Sequence, residues 1–190
     1  MTDTKRPEET RAPPSRSEIV ARWWREMQDT NPNGTPNPRV DRAARARLRR
    51  LEGPLAAADP RVVDLYRRLE GDRFDAGKLR VVVRVALVLA HVREEARGEP
   101  FPRSLGPSTI DADDGVLKAL RFRSLLAARD EGDVVRRFRR AVALLGGRVN
   151  VHDLAAVLLG WDSDRVRTRF AFDYFAASAA VPPEATSVVA

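Results

Sequence analysis

One apolar stretch constrains the fold of this chain more than any other feature. Residues 81–92 are apolar apart from Arg84 and His91, and charged side chains flank them. A helix that spans a bilayer needs about 18 to 20 apolar residues, so this run is too short to cross a membrane. Its valines would also suit a strand, but the length of the surrounding pattern favours a helix that is buried almost all round. Such a helix is typical of the centre of a helical bundle.

Capping residues and helical periodicity divide the chain into about eight helices. Ser17, Asp59 before Pro60, and Asn150 are examples of the residue types that start helices. Neither a repeat nor a β-hairpin pattern stands out, so we predict an all-α fold of two packed helical bundles. The predicted helices span residues 17–29, 40–51, 59–71, 75–97, 113–128, 130–145, 151–159 and 163–177.

Composition also predicts how the chain is divided. The polar, proline-containing residues 1–16 predict a disordered tail, and residues 178–190 predict a flexible one. The N-terminal bundle is expected over residues 17–97 and the C-terminal bundle over 113–177, with a proline-rich connector at 98–112. The start of the chain lacks the apolar core of a secretory signal and cysteine is absent, so we expect a cytoplasmic protein.

Arginine carries the positive charge of the chain. Lys and Arg number 34 against 27 Asp and Glu, which gives a net charge of +7, and three lysines leave 34 − 3 = 31 arginines. The planar guanidinium group suits phosphate oxygens. A G+C-rich genome also raises arginine content, so the clustering of the arginines matters more than their number.

Two segments concentrate arginine. Residues 39–50 hold six arginines and one acid, Asp41, and residues 121–140 hold seven arginines against three acids. In the first segment few acids lie close enough in sequence to form ion pairs along the helix, so we expect phosphates as partners. A third group, at residues 165–169, is balanced by nearby aspartates. The candidate nucleic-acid-binding residues are Arg42, Arg45, Arg49, Arg50, Arg121, Arg136, Arg139, Arg140, Arg165 and Arg167.

No catalytic constellation is evident in the sequence. The motifs of metalloproteases, serine hydrolases, P-loop enzymes and dinucleotide-binding proteins are absent. His91 is interpreted as a core or rim histidine, and Asp111, Asp113 and Asp114 as acids that favour a helix N-terminus rather than a metal site. We expect no catalysis, no metal, no cofactor and no small-molecule substrate. The aromatic residues recur at core positions of the helices.

Three runs resemble CasB, the family of small subunits of the type I-E CRISPR surveillance complex Cascade. They are RAARARLRRLEGPL at residues 42–55, LRFRSLLAARD at 120–130, and the run from RRFRR to FDYF at 136–175. The resemblance extends over about residues 17–176 and is weaker in the first half, apart from the LRR motif.

The resemblance implies an all-α, non-catalytic protein that is present in two copies in contact with each other. Members of this family bind CRISPR RNA and single- and double-stranded DNA, contact other Cascade subunits, and help to stabilise the R-loop in antiviral defence. The positions that match the family motifs are Arg49, Arg50, Arg121, Arg139, Arg140, Arg165 and Arg167.

Two other functions remain open from the residues themselves. A helical DNA-binding transcriptional regulator would place an arginine helix in the major groove, although no helix-turn-helix spacing is evident and arginine alone reads little beyond guanine. A protein-interaction module would instead pair its arginines with acidic partners.

Overall fold

The computed structural model describes residues 13–29, 35 and 41–176. In this part of the chain there are ten α-helices and two short strands. The all-α prediction is therefore confirmed. The elements are α1 (Arg16–Arg25), α2 (Arg42–Leu48), α3 (Gly53–Ala57), α4 (Pro60–Glu70), α5 (Ala76–Leu89), β1 (Glu94–Glu95), α6 (Phe101–Leu105), α7 (Ala119–Ala127), α8 (Glu131–Leu144), β2 (Arg148–Val149), α9 (Val151–Gly160) and α10 (Asp164–Phe175).

The N-cap of the first helix lies two residues before Ser17, the serine expected to cap it. Ser15 is the N-cap and forms a capping box. Its side-chain oxygen accepts from the backbone N–H of Glu18, and the Glu18 carboxylate accepts from the backbone N–H of Ser15. Ser17 is instead buried, and its hydroxyl lies 2.8 Å from Nε2 of His152 on α9. This contact joins the first helix to the C-terminal half of the chain.

The apolar stretch forms a central helix, as expected, but α5 is shorter than the predicted range of 75–97. The helix ends at Leu89 because the chain then turns and pairs β1 with β2 in parallel. The backbone N–H of Arg93 donates to the carbonyl of Gly147 at 2.8 Å. This pairing involves a segment far away in sequence, so helical periodicity gave no sign of it.

Helices from the two predicted bundles pack on one another. The first helix contacts both α4 and α9, and α5 lies against α4, α8 and α9. The predicted connector contains α6, whose Phe101 is buried and lies 6.2 Å from Phe138, measured between ring centroids. The predicted tails fall mostly outside the described residues.

The same aromatic cluster extends through the core around α7, α8 and α10. The rings of Phe122 and Tyr174 stack with centroids 3.7 Å apart, and Phe138 meets Trp161 edge-on at 4.8 Å. Offset and edge-on arrangements of this kind add to the stabilisation from buried area. The aromatic residues at helical spacings therefore form core, as expected.

The longest helices described have 14 residues, and none of the described helices is long and apolar enough to cross a membrane.

The seventh helix is shorter than predicted. The predicted helix over 113–128 begins only at Ala119, because the acidic residues before it form a turn. In this turn Asp114 accepts hydrogen bonds from the side chain and from the backbone N–H of Ser108, the latter at 2.9 Å, and both lower the pKa of Asp114.

Candidate nucleic-acid interface

Some arginines of α2 are paired with acids from other segments. Arg42 donates from Nε to Asp29 at 2.6 Å, and Arg47 donates to the buried Asp59 at 2.6 Å. The expectation concerned pairing along the helix, and these ion pairs are instead formed with acids from other segments. The acids lie 13 and 12 residues away, beyond the reach of pairing along one helix.

A polar cleft of about 700 Å³ separates α1, α2 and β1. Arg45 donates to the side-chain oxygen of Gln28 at 2.8 Å, and Arg25 makes two hydrogen bonds to Glu95 that raise the pKa of Arg25. The charged residues lining the cleft carry a formal charge of 5 − 3 = +2, so the cleft favours anions. They are Arg25, Arg45, Arg49, Arg93 and Arg97 against Asp29, Glu94 and Glu95.

The two arginine-rich segments meet at the C-terminal end of α5. Nε of Arg49 donates to the carbonyl of Ala90 at 2.7 Å, and Nε of Arg139 donates to the carbonyl of Leu87 at 3.2 Å. Burial lowers the pKa of both guanidinium groups. Among the described residues no carboxylate lies within ion-pair distance of either one. Arg49 and Arg139, which are 90 residues apart in sequence, therefore bond to the same helix end, whose surroundings we call the arginine surface.

His91 lies in the turn after α5, beside these two arginines. Its Nε2 is buried and has no hydrogen-bond partner in the described part of the chain. Burial, and then the positive charges of Arg139 and Arg49, lower the pKa of His91 to about 4. The imidazole is therefore neutral at pH 7. The sequence interpretation of His91 missed this neighbourhood because both arginines come from distant helices.

Acidification from pH 6.5 to pH 4 is expected to reduce the free energy of unfolding through His91. In this window the unfolded state binds more protons at His91 than the folded state does, so stability falls as the pH falls. Because His91 is partly exposed, solvent screening limits the effect to about 1–2 kcal/mol. Denaturant unfolding at pH 7 and pH 4.5 should show that the free energy of unfolding falls less on acidification for His91→Gln than for the wild type. An equal loss in the two proteins would contradict the assignment.

Several candidate arginines are exposed and make no hydrogen bond or ion pair with any described residue. Arg136, on the same helix as two of the candidates, pairs with Asp133 at 2.6 Å, although its side chain remains 74% exposed. The exposed arginines without such partners are the ones most available to an external phosphate. They are Arg50, Arg121, Arg140 and Arg165.

Arg167 has a structural role that the charge pattern did not predict. Its side chain is only 11% exposed, donates to the carbonyl of Trp161 at 2.6 Å and pairs with Asp164. The guanidinium therefore caps the C-terminal end of α9. Arg165 and Arg167 belong to α10, which packs on α6 and α9, whereas the convergence at the end of α5 involves α2 and α8.

A groove of about 580 Å³ with largely apolar walls lies between α3, α5 and α8. Phe74 lines it and is 72% exposed, as is the neighbouring Leu55. Arg136 and Arg139 are also among the lining residues, so the groove adjoins the arginine surface. No cluster of three His, Asp or Glu suited to a metal ion occurs among the described residues.

Comparisons with known proteins identify a family and a similar solved structure. A family model described as CRISPR-associated protein Cse2 matches residues 44–175, a range that includes nine of the ten candidate arginines, all except Arg42. The chain is also similar to TTHB189, a CRISPR-associated protein of the Cse2 family from Thermus thermophilus. The crystal structure of that protein matches with a TM-score of 0.60 and 27% identity, over 84% of this chain and 97% of that chain. The comparison with curated proteins found no match.

Proposed function

Since the chain belongs to the Cse2 family, the CasB subunits of type I-E Cascade, we propose that it holds nucleic-acid backbones within that complex. The bound strands are CRISPR RNA and the target or displaced DNA, in single- and double-stranded form. The subunit contributes binding energy and position and performs no chemical step. Strand exchange in an R-loop is nearly balanced in free energy, so moderate binding to the phosphate backbone is enough to favour the R-loop over the closed DNA duplex.

The observation that carries this proposal is the convergence of α2 and α8 at the end of α5. Arg49 and Arg139 both donate to carbonyls at this helix end, and Arg50 and Arg140 are their exposed chain neighbours. Arginines that lack carboxylate partners are the ones that phosphates neutralise at the least cost. Contacts of this type hold a strand in position without reading its sequence.

Besides the arginines, exposed apolar residues support the proposal that the subunit contacts other proteins. Phe74 lines the groove beside α5, while Leu120 on α7 and Phe172 on α10 are 78% and 69% exposed. Large apolar side chains at a surface are typical of protein interfaces. We assign these surfaces to other Cascade subunits and to a second copy of the chain.

The purified protein is expected to bind single-stranded RNA and DNA with a strong dependence on salt and little dependence on sequence. Six phosphate contacts would give a log–log slope of about −4, since each contact to a single strand contributes about −0.7. Fluorescence anisotropy between 50 and 300 mM salt measures this slope. A slope weaker than about −1 would contradict the proposal, and a strong preference for one duplex sequence would favour a transcriptional regulator. Co-purification with CRISPR RNA and other Cascade subunits tests the assembly.

A further inference from the structure

The C-terminal end of α5 carries more positive charge than the helix can balance. The carbonyls of Leu87 and Ala90 accept hydrogen bonds from Arg139 and Arg49, which is a common way to satisfy a helix end. However, a helix terminus offers only about half a negative charge, whereas the two guanidinium groups carry two positive charges. Capping the helix therefore accounts for only a small part of this charge.

Surrounding side chains do not remove the excess. Glu52 stabilises the charge of Arg139 through space but forms no ion pair with it. Arg45 and Arg93 add positive charge around Arg49. A half-buried group of like charges is costly unless a counter-charge lies against it. No described carboxylate lies within ion-pair distance of Arg49 or Arg139, so an external anion can serve as their direct counter-charge.

Unused hydrogen-bonding atoms lie in the same cluster. Nη2 of Arg139 and Nε2 of His91 are buried, and neither has a partner among the described residues. Buried polar atoms in folded proteins rarely lack a partner. A guanidinium and a neutral imidazole can each donate an N–H to an oxygen atom, so their combined donors match an oxyanion with several oxygens.

We propose that Arg49, His91 and Arg139 form a pocket for one phosphate group at the C-terminal end of α5. The pocket deepens the proposed function and rests on it, because a strand phosphodiester is the expected source of the phosphate. The new element is His91, a residue that the charge pattern did not select. Its neutral ring donates to the bound anion, and the anion in turn favours protonation of the ring.

The two histidines of the chain allow a direct test by NMR of their side chains. His91 reports on the pocket, and the exposed His152, which is hydrogen-bonded to Ser17, serves as an internal reference. The probes are inorganic phosphate and a ten-nucleotide thymidine strand, added separately to the full chain. We expect each probe to shift the His91 resonances and to raise the pKa of His91 by about one unit, with little change at His152.

An exposed arginine outside the candidate set provides the matched control. Arg139→Gln and Arg80→Gln each remove one positive charge, but Arg80 lies near the start of α5, away from the pocket, and is 62% exposed. We expect R139Q to abolish the response of His91 and to weaken phosphate binding about fivefold, whereas R80Q keeps the response. Equal responses in the two variants would overturn the pocket in favour of general electrostatics. If R139Q does not fold, His91→Gln decides: phosphate binding equal to that of the wild type overturns the pocket.

Failure of the pocket and failure of the proposed function give different results. If the strand binds in a salt-dependent manner while His91 stays unchanged with both probes, the pocket is wrong and the nucleic-acid function stands. If inorganic phosphate shifts His91 but no strand binds, the pocket stands and the source assigned to its phosphate is wrong. A shift with the strand alone supports the pocket and requires the phosphodiester as its ligand.

Discussion

Replacing Arg50 and Arg140 together by glutamate is expected to weaken binding of single-stranded RNA or DNA by about 50- to 100-fold in 0.1 M salt. Each lost phosphate contact removes about 0.7 of a released counterion, which corresponds to roughly fivefold in affinity at this salt concentration. Two contacts therefore account for about 25-fold, and repulsion by the new carboxylates adds the rest. Because both side chains are exposed and make no hydrogen bond or ion pair with a described residue, the fold should be unaffected.

The matched control is the pair Arg67→Glu and Arg73→Glu. It changes the net charge by the same amount, from +7 to 7 − 4 = +3, but these arginines flank the N-terminal end of α5, about 20 Å along that helix from the candidate surface. We expect less than a threefold loss in the control. Anisotropy at several salt concentrations should also show that the slope falls by about 1.4 only in the R50E/R140E protein. Equal losses in the two proteins would show that overall charge, and not this surface, governs binding.

The arginine surface was predictable from sequence in outline but not in detail. The local excess of arginine over acid drew attention to α2 and α8, the two helices whose arginines bond to the end of α5. It did not separate Arg50, which is free of described partners, from Arg42, which is paired with Asp29. It also gave no sign that Arg167 caps α9. These distinctions depend on groups that folding brings close, and a local charge count does not contain that information.

His91 illustrates the same limit for a single residue. In the sequence it lies near the end of an apolar run, and on that evidence a core or rim position is the ordinary interpretation. Its pKa of about 4 arises from burial and from Arg139 on α8 and Arg49 at the C-terminal cap of α2. These three residues come together only when α2, α5 and α8 pack, so the sequence alone does not indicate the cluster.

Helix boundaries were predicted well where a local cap determines them. Asp130 and Asn150 accept the expected backbone hydrogen bonds at the starts of α8 and α9. At α1 the spacing of Ser15 and Glu18 completes a capping box that Ser17 cannot form, so the helix begins earlier than predicted. The end of α5 was missed because strand pairing with a distant segment, and not a local stop signal, terminates that helix.

The largest loss of stability is expected from Arg84, the single charged residue of the central apolar run. Its side chain is 1% exposed and donates to Glu131 on α8 at 2.7 Å, to Asp162 at 2.9 Å and to the carbonyl of Leu158 at 3.2 Å. Burial alone would lower the pKa of Arg84, but hydrogen bonds to Glu131 and Asp162 outweigh burial and raise it. One guanidinium thus joins α5 to α8 and to the end of α9.

Arg84→Ala is expected to reduce the free energy of unfolding by about 3 kcal/mol, since it removes buried packing and leaves a carbonyl and two carboxylates without their donor. Arg84→Met restores most of the packing and should still lose about 2 kcal/mol. The control is Arg80→Met, one turn earlier on α5, because Arg80 faces the same Glu131 at 3.7 Å but is 62% exposed. That surface pair should contribute less than about 0.5 kcal/mol. Urea unfolding of the three variants measures these differences. Wild-type stability in R84M would show that a buried apolar side chain can replace this ion pair network, as happens in some other proteins, and would contradict the prediction.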